Sequence, residues 1–81
     1  MKKYRNILIT GGTGYIGSVI ASYLLDNGFE VTVVDDLSTG NKGSVDKRAS
    51  FHQGSILDES LLIKSLNGID TVIHCAAKSL V

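Results

Sequence analysis

An 81-residue chain with eight basic and eight acidic side chains carries no formal net charge, so it has no basic excess with which to displace counterions from a nucleic-acid backbone. Its composition, 43% hydrophobic and 20% charged, is that of an ordinary globular domain, with room for only a modest core. The single Cys75 excludes an internal disulfide and an all-cysteine metal centre and suits a reducing compartment. The apolar run of Ile7, Leu8 and Ile9 is too short for a signal-peptide core or a membrane span. These features read as a cytoplasmic protein that binds neither nucleic acid nor membrane, and the missing charge repulsion favours contact between copies.

The continuously apolar centre of residues 6–10 predicts a strand covered on both faces. A helix is expected from Tyr15, with Ile16, Val19, Ile20, Tyr23 and Leu24 forming the stripe laid on the sheet. Asp26-Asn27-Gly28 stops it, because Gly28 can close a helix in the left-handed conformation. The β-branched run 30–34 is a second strand ending at Asp35-Asp36, and polar residues 37–49 read as a surface loop or short irregular crossover. Residues 50–53 give a short third strand. Asp58 is the expected N-cap of a helix that points Leu61, Leu62 and Leu66 inward and ends at Asn67-Gly68, and residues 71–75 form a fourth strand. This alternation predicts an α/β fold: a parallel sheet of about four strands in the order 3-2-1-4, about half of a doubly wound sheet, with its last strand an open edge.

Between the first strand and first helix stands Gly11-Gly12-Thr13-Gly14-Tyr15-Ile16-Gly17, a G-x-x-G-x-x-G variant of the dinucleotide fingerprint. Gly11 permits the tight turn and Gly14 lets a pyrophosphate approach backbone N–H groups at the helix N-terminus. Gly17 brings helix and strand close together. No Gly-Lys-Ser/Thr follows, which excludes a P-loop. Asp35, at the end of the next strand, can accept both hydroxyls of an adenosine ribose and would repel a 2′-phosphate, which predicts NAD rather than NADP.

The segments ITGGTGYIGS, VDDLSTGN, FHQGSILD and IDTVIHCAAKSLV resemble, in order and spacing, the N-terminal part of the extended short-chain dehydrogenase/reductase family, most closely its UDP-glucose 4-epimerase branch. The resemblance implies a Rossmann domain holding NAD, followed by a C-terminal sugar-nucleotide domain that this chain lacks, so residues 1–81 would be a truncated first part of the cofactor domain. It also implies roles: Gly11, Gly14, Tyr15, Ile16 and Gly17 at the pyrophosphate, and Asp35, Asp36, Leu37, Ser38, Thr39 and Gly40 around the adenosine ribose. Ser55 and Ile56 would lie beside the adenine, and Cys75, Ala76, Ala77 and Lys78 at the end of the fourth strand. Asp36 replaces a common Asn of the family and Ser55 a usual Asp, and Lys78 stands one place before the position where many members carry Lys.

The resemblance to that branch implies interconversion of UDP-glucose and UDP-galactose by hydride transfer at C4, with a catalytic Tyr-x-x-x-Lys. Tyr4, Tyr15 and Tyr23 are followed four places later by Leu8, Val19 and Asn27, so no catalytic residue is assigned and the chain by itself is expected to be inactive. Another nucleotide-sugar dehydratase or epimerase remains an alternative, as does a non-catalytic nucleotide-binding or self-assembling module. A UDP-sugar would be a partner only of a full-length enzyme, and homo-oligomers through the open sheet edge or an apolar face are expected. Of the remaining residues, His74 reads as a buried structural histidine, His52 as a surface or edge residue and Cys75 as a small buried strand-end hydrophobe. Lys42, Lys47 and Arg48, partly balanced by Asp46, read as a solvated face in a polar loop, and no metal site is expected.

Overall fold

The computed structural model describes residues 5–11, 14–37, 43, 45–55 and 57–75. Four parallel strands, β1 (Asn6–Thr10), β2 (Glu30–Asp35), β3 (Ser50–Gln53) and β4 (Thr71–His74), form one sheet in the order β3-β2-β1-β4, as the alternation of elements required. Two helices, α1 (Tyr15–Asp26) and α2 (Glu59–Leu66), complete the described elements.

Register sorts the core into rows. Phe51, Val33, Ile9 and Ile73 stand side by side across the sheet on the face that α1 covers. Strand alternation sends the next row, His52, Val34, Thr10 and His74, to the other face. Ile7, Leu8, Ile9, Val31, Val33 and Val34 are all buried, so β1 and β2 are shielded on both sides. α2 lies on the second face, where its buried Ser65 shares a 2.8 Å hydrogen bond between Oγ and His52 Nδ1.

The sequence stripe placed α1 one residue out of phase. Ile16, Val19 and Tyr23 are exposed, Tyr23 by 66%, and the buried residues of the helix are Gly17 and Ala21, with Ile20, Leu24 and Leu25 packed around them. Small residues let the helix axis approach the sheet, so contact geometry outweighed side-chain hydrophobicity. The same correction applies to α2, where Leu66 is exposed while Ser65 is buried; Leu61 and Leu62 are half-buried as expected. Its N-terminus follows expectation: Asp58 Oδ1 accepts from Leu61 N–H at 3.1 Å.

α1 closes as a Schellman motif, with Gly28 N–H donating to Leu25 O and Phe29 N–H to Leu24 O, both at 3.1 Å. Gly28 has φ +84°, a conformation that side chains disfavour by roughly 1–2 kcal/mol. The connection between β2 and β3 is more than a surface loop, because its Val45 and Ala49 pack against the core. Arg48 is no free cation either: its Nη2 lies 2.9 Å from Asp26 Oδ1 and 2.8 Å from Asp46 Oδ2. Ser22 Oγ donates to Asp46 at 3.1 Å, so this cluster ties the connection to α1. The hydrogen bonds from Arg48 hold Asp46 well below the usual carboxylate range, and those same partners raise Arg48. Lys47 is exposed, and Lys42 lies outside the described residues.

At the opposite edge of the sheet, Asp70 Oδ2 accepts from the N–H groups of Arg5 (3.0 Å) and Asn6 (2.9 Å), while Asp70 N–H donates to Asn6 O at 2.8 Å. These bonds lower the Asp70 pKa, those from the Asn6 and Arg5 backbone being the principal cause. A carboxyl depressed on folding stabilises the native state above its unfolded value, about 3.9, and that contribution is lost as pH falls through the folded value. Asp70→Asn is therefore expected to flatten the acid limb of the melting-temperature-versus-pH curve. Thermal unfolding followed by circular dichroism across the acid range checks this, and an unchanged acid limb would exclude the role.

Candidate dinucleotide site

Because the strands are parallel, their carboxyl ends share one edge, and those predicted residues that are described (Gly11, Gly14, Tyr15, Ile16, Gly17, Asp35, Asp36, Leu37, Ser55 and Cys75) lie at or beside it. Gly11 continues β1 by donating its N–H to Val34 O (2.8 Å) and turns the chain at φ +79°. Gly14 is the N-cap of α1, with no side-chain cap hydrogen bond and no acidic residue in the first turn. The helix's own ladder starts with Ser18 N–H donating to Gly14 O at 2.9 Å. The N–H groups of Tyr15, Ile16 and Gly17 therefore point out of the helix end, where the dipole favours an anion.

A Cβ built on Gly14 would meet nothing closer than Gly11 O at 4.0 Å, and its φ of −77° suits any residue. Among the described residues, the fold therefore shows no steric need for glycine at this position. Tyr15, 84% exposed, and Ile16 border the same opening. Gly17 is buried against the sheet, in the packing role expected of it.

Asp35 ends β2 and is only 7% exposed. Its Oδ1 accepts from Leu37 N–H at 2.7 Å. That bond holds the 35–37 turn, in which Leu37 adopts φ +66°, an uncommon conformation for a bulky side chain and one that concentrates at ligand sites. Asp36 is exposed. No residue pattern signals the unusual Leu37 backbone, which is held by the Asp35 bond.

One strand further out, Gly54 N–H donates to Asp35 O at 2.9 Å and is followed by Ser55, whose Oγ accepts from Leu57 N–H at 3.0 Å. On the other side of β1, Cys75 N–H donates to Thr10 O at 2.7 Å, and the half-buried Cys75 packs against the core. β4 itself ends one residue earlier than predicted, at His74. His74 is exposed rather than buried, but it is satisfied: Nδ1 lies 2.6 Å from Thr10 Oγ1. Sequence reasoning missed this pair because it joins residues 64 apart in the chain. His52, half-buried on edge strand β3, is likewise bonded, to Ser65. Ser38, Thr39, Gly40, Ile56, Ala76, Ala77 and Lys78 lie outside the described residues.

A cavity of about 340 Å³ opens at the amino-terminal edge of the sheet, lined in part by Leu25, Phe29, Glu30, Thr32 and Ile69. Charged groups at its rim are engaged elsewhere, Glu30 with Arg5 and Arg48 with Asp26 and Asp46. It is remote from the glycine turn and has no helix N-terminus aimed into it. The carboxyl edge, with outward N–H groups beside a buried carboxylate, has the donors and acceptor that a dinucleotide requires.

Residues 7–81 match the NAD dependent epimerase/dehydratase family. The chain is 44% identical over 75 residues to a UDP-glucose 4-epimerase of Corynebacterium glutamicum, covering 93% of this chain and 23% of that protein. It superposes with a TM-score of 0.89, at 38% identity, on the crystal structure of UDP-glucose 4-epimerase from Brucella ovis in complex with NAD, covering 95% of this chain and 24% of the other. The UDP-glucose 4-epimerase of Thermotoga maritima with UDP-glucose gives a TM-score of 0.87 at 39% identity, covering 91% and 25%. The chain thus spans about a quarter of the length of these relatives. Among the described residues, no helix is long and apolar enough to cross a membrane.

Hydrogen bonds to a charged group contribute about 1.5–3 kcal/mol, and Asn at position 35 can still accept from Leu37 N–H. Asp35→Asn is accordingly expected to weaken NAD binding by at least about tenfold and NADP binding by much less. Calorimetric titration of both dinucleotides checks the difference, and equal losses would remove the ribose assignment.

Proposed function

Because this chain belongs to the NAD dependent epimerase/dehydratase family, we propose that it binds NAD across the carboxyl edge of its sheet and forms the first part of the cofactor domain of a UDP-glucose 4-epimerase. The observation that carries this reading is the N-terminus of α1 at Gly14, which makes no side-chain cap bond and, among the described residues, has open space over it, one strand away from the buried Asp35 carboxylate. The pyrophosphate would lie on the N–H groups of Tyr15, Ile16 and Gly17 after the Gly11 turn, and Asp35 would take the ribose hydroxyls. Asp36, Leu37, Ser38, Thr39 and Gly40 would border the ribose and Ser55 and Ile56 the base, with Cys75, Ala76, Ala77 and Lys78 against the cofactor after the fourth strand. Bound NAD would supply the hydride acceptor and donor for C4 of a UDP-sugar, while the residues named here bind and orient it. No Tyr-x-x-x-Lys stands among these 81 residues, so none of them is assigned a proton-transfer role. The free Cys75 and a nucleotide-sugar substrate both support a cytoplasmic setting.

Self-association is a second and compatible property, favoured by the exposed Ile16, Val19 and Tyr23 on α1 and the exposed Val72 on β4. Tyr23→Lys is expected to shift sedimentation toward monomer, and a wild-type chain that sediments as a monomer removes this part of the reading.

The cofactor assignment is tested by thermal unfolding with and without millimolar NAD. A ligand specific for the native state must raise the transition. Gly14→Ser retains a favoured N-cap residue but sets its side chain over the helix N-terminus. It is expected to unfold within a few degrees of wild type without ligand and to lose the NAD-induced shift. An equal shift in wild type and variant would overturn the pyrophosphate assignment.

A further inference from the structure

α2 meets the β3 segment at two places. Ser65 Oγ lies 2.8 Å from His52 Nδ1, and Leu61, one helical turn earlier, lies against Gly54, two residues later in the chain. Gly54 has no room for a side chain there. A Cβ on it would overlap Leu61 Cδ2, and its φ of +157° is one that side chains rarely adopt. Leu61 has little freedom to turn away. It is half-buried, and its N–H donates to Asp58 Oδ1 at 3.1 Å, while Asp58 N–H donates to Ser55 O at 3.0 Å.

Gly54 N–H donates to Asp35 O at 2.9 Å, one residue past the Asp35–Gln53 pair that ends the β2–β3 register. Asp35 is thus held twice, its carbonyl by Gly54 and its carboxylate Oδ1 by Leu37 N–H at 2.7 Å. The two bonds fix the last residue of β2 where the chain leaves the sheet through the positive φ of Leu37. We propose that Gly54 is a positioning residue for the Asp35 carboxylate. Lacking a side chain, it lets α2 sit close over β3 and keeps its own N–H on the Asp35 carbonyl. That placement sets how the carboxylate meets a ribose and how strongly it repels a 2′-phosphate. The inference rests on the ribose assignment above and adds a determinant of NAD over NADP that acts through Asp35.

The test is calorimetric titration of the purified chain with NAD and with NADP, at a temperature where each variant is folded. Gly54→Ala is expected to reduce the preference for NAD over NADP about tenfold. A merely structural loss lowers both affinities together and leaves their ratio unchanged. In a Leu61→Ala background, which removes the overlapping atom, the same substitution should reduce the preference by less than about threefold. An unchanged ratio in Gly54→Ala, or an equal loss in both backgrounds, overturns the positioning role and leaves NAD binding standing. If Gly54→Ala does not fold, amide hydrogen exchange of wild type decides. NAD is expected to slow the Gly54 and Leu37 amides together, and any other pattern overturns the role. A folded wild type that binds neither dinucleotide overturns the ribose assignment and this inference with it.

Discussion

Parallel alignment of the four strands is the constraint on which the rest of the structure depends. It brings every strand's carboxyl end to one edge, so the β1 turn, the start of α1, the Asp35 carboxylate and Ser55 converge although they are far apart in sequence. It also requires each connection to cross a face of the sheet, and right-handed crossovers made in opposite directions, β1 to β2 and β3 to β4, put α1 and α2 on opposite sides. An antiparallel arrangement of the same strands would scatter these groups between two edges.

Close packing of α1 is the second requirement, and it links the core to the site. Gly17 and Ala21 let the helix sit near β1 and β2, which sets the position of its N-terminus relative to the strand ends. The other end is held by the Schellman closure at Gly28 and by the Asp26–Arg48–Asp46 cluster. Most of that cluster is solvent-exposed, so its Coulomb energy is screened and small. Its importance lies in joining the 45–49 segment to α1, where Val45 and Ala49 close over the core.

Polar side chains inside the sheet layers are paired through hydroxyls. Thr10 meets His74 and Ser65 meets His52, both on the face opposite α1. Such pairs spare the buried hydroxyls the cost of being left unsatisfied, and no buried side-chain nitrogen or oxygen among the described residues lacks a partner. At the ligand edge the economy differs. N–H groups face outward from an uncapped helix, Leu37 is held at positive φ, and open space lies over Gly14. These outward donors and the open space above them are what the dinucleotide proposal rests on.

The sequence by itself determined the strand order, the limits of most elements and the glycine turn with its acidic partner. Each of these depends on local chemistry: apolar runs, Asp58 as a cap, Gly28 as a stop, and the spacing from Gly11 to Asp35. Hydrophobic periodicity placed Ile20, Leu24, Leu61 and Leu62 on the inward sides, and tertiary structure decided the centre of each buried face. Ile16, Val19, Tyr23 and Leu66 yielded to Gly17, Ala21 and Ser65 because helix position depends on how closely two backbones approach, which hydrophobic periodicity does not encode. It also decided the long-range bonds of Thr10 with His74 and of Asp70 with Arg5 and Asn6, and the left-handed backbone at Leu37. Each arises where segments distant in the chain, or a side chain and a neighbouring backbone, meet in a geometry that only the assembled sheet fixes.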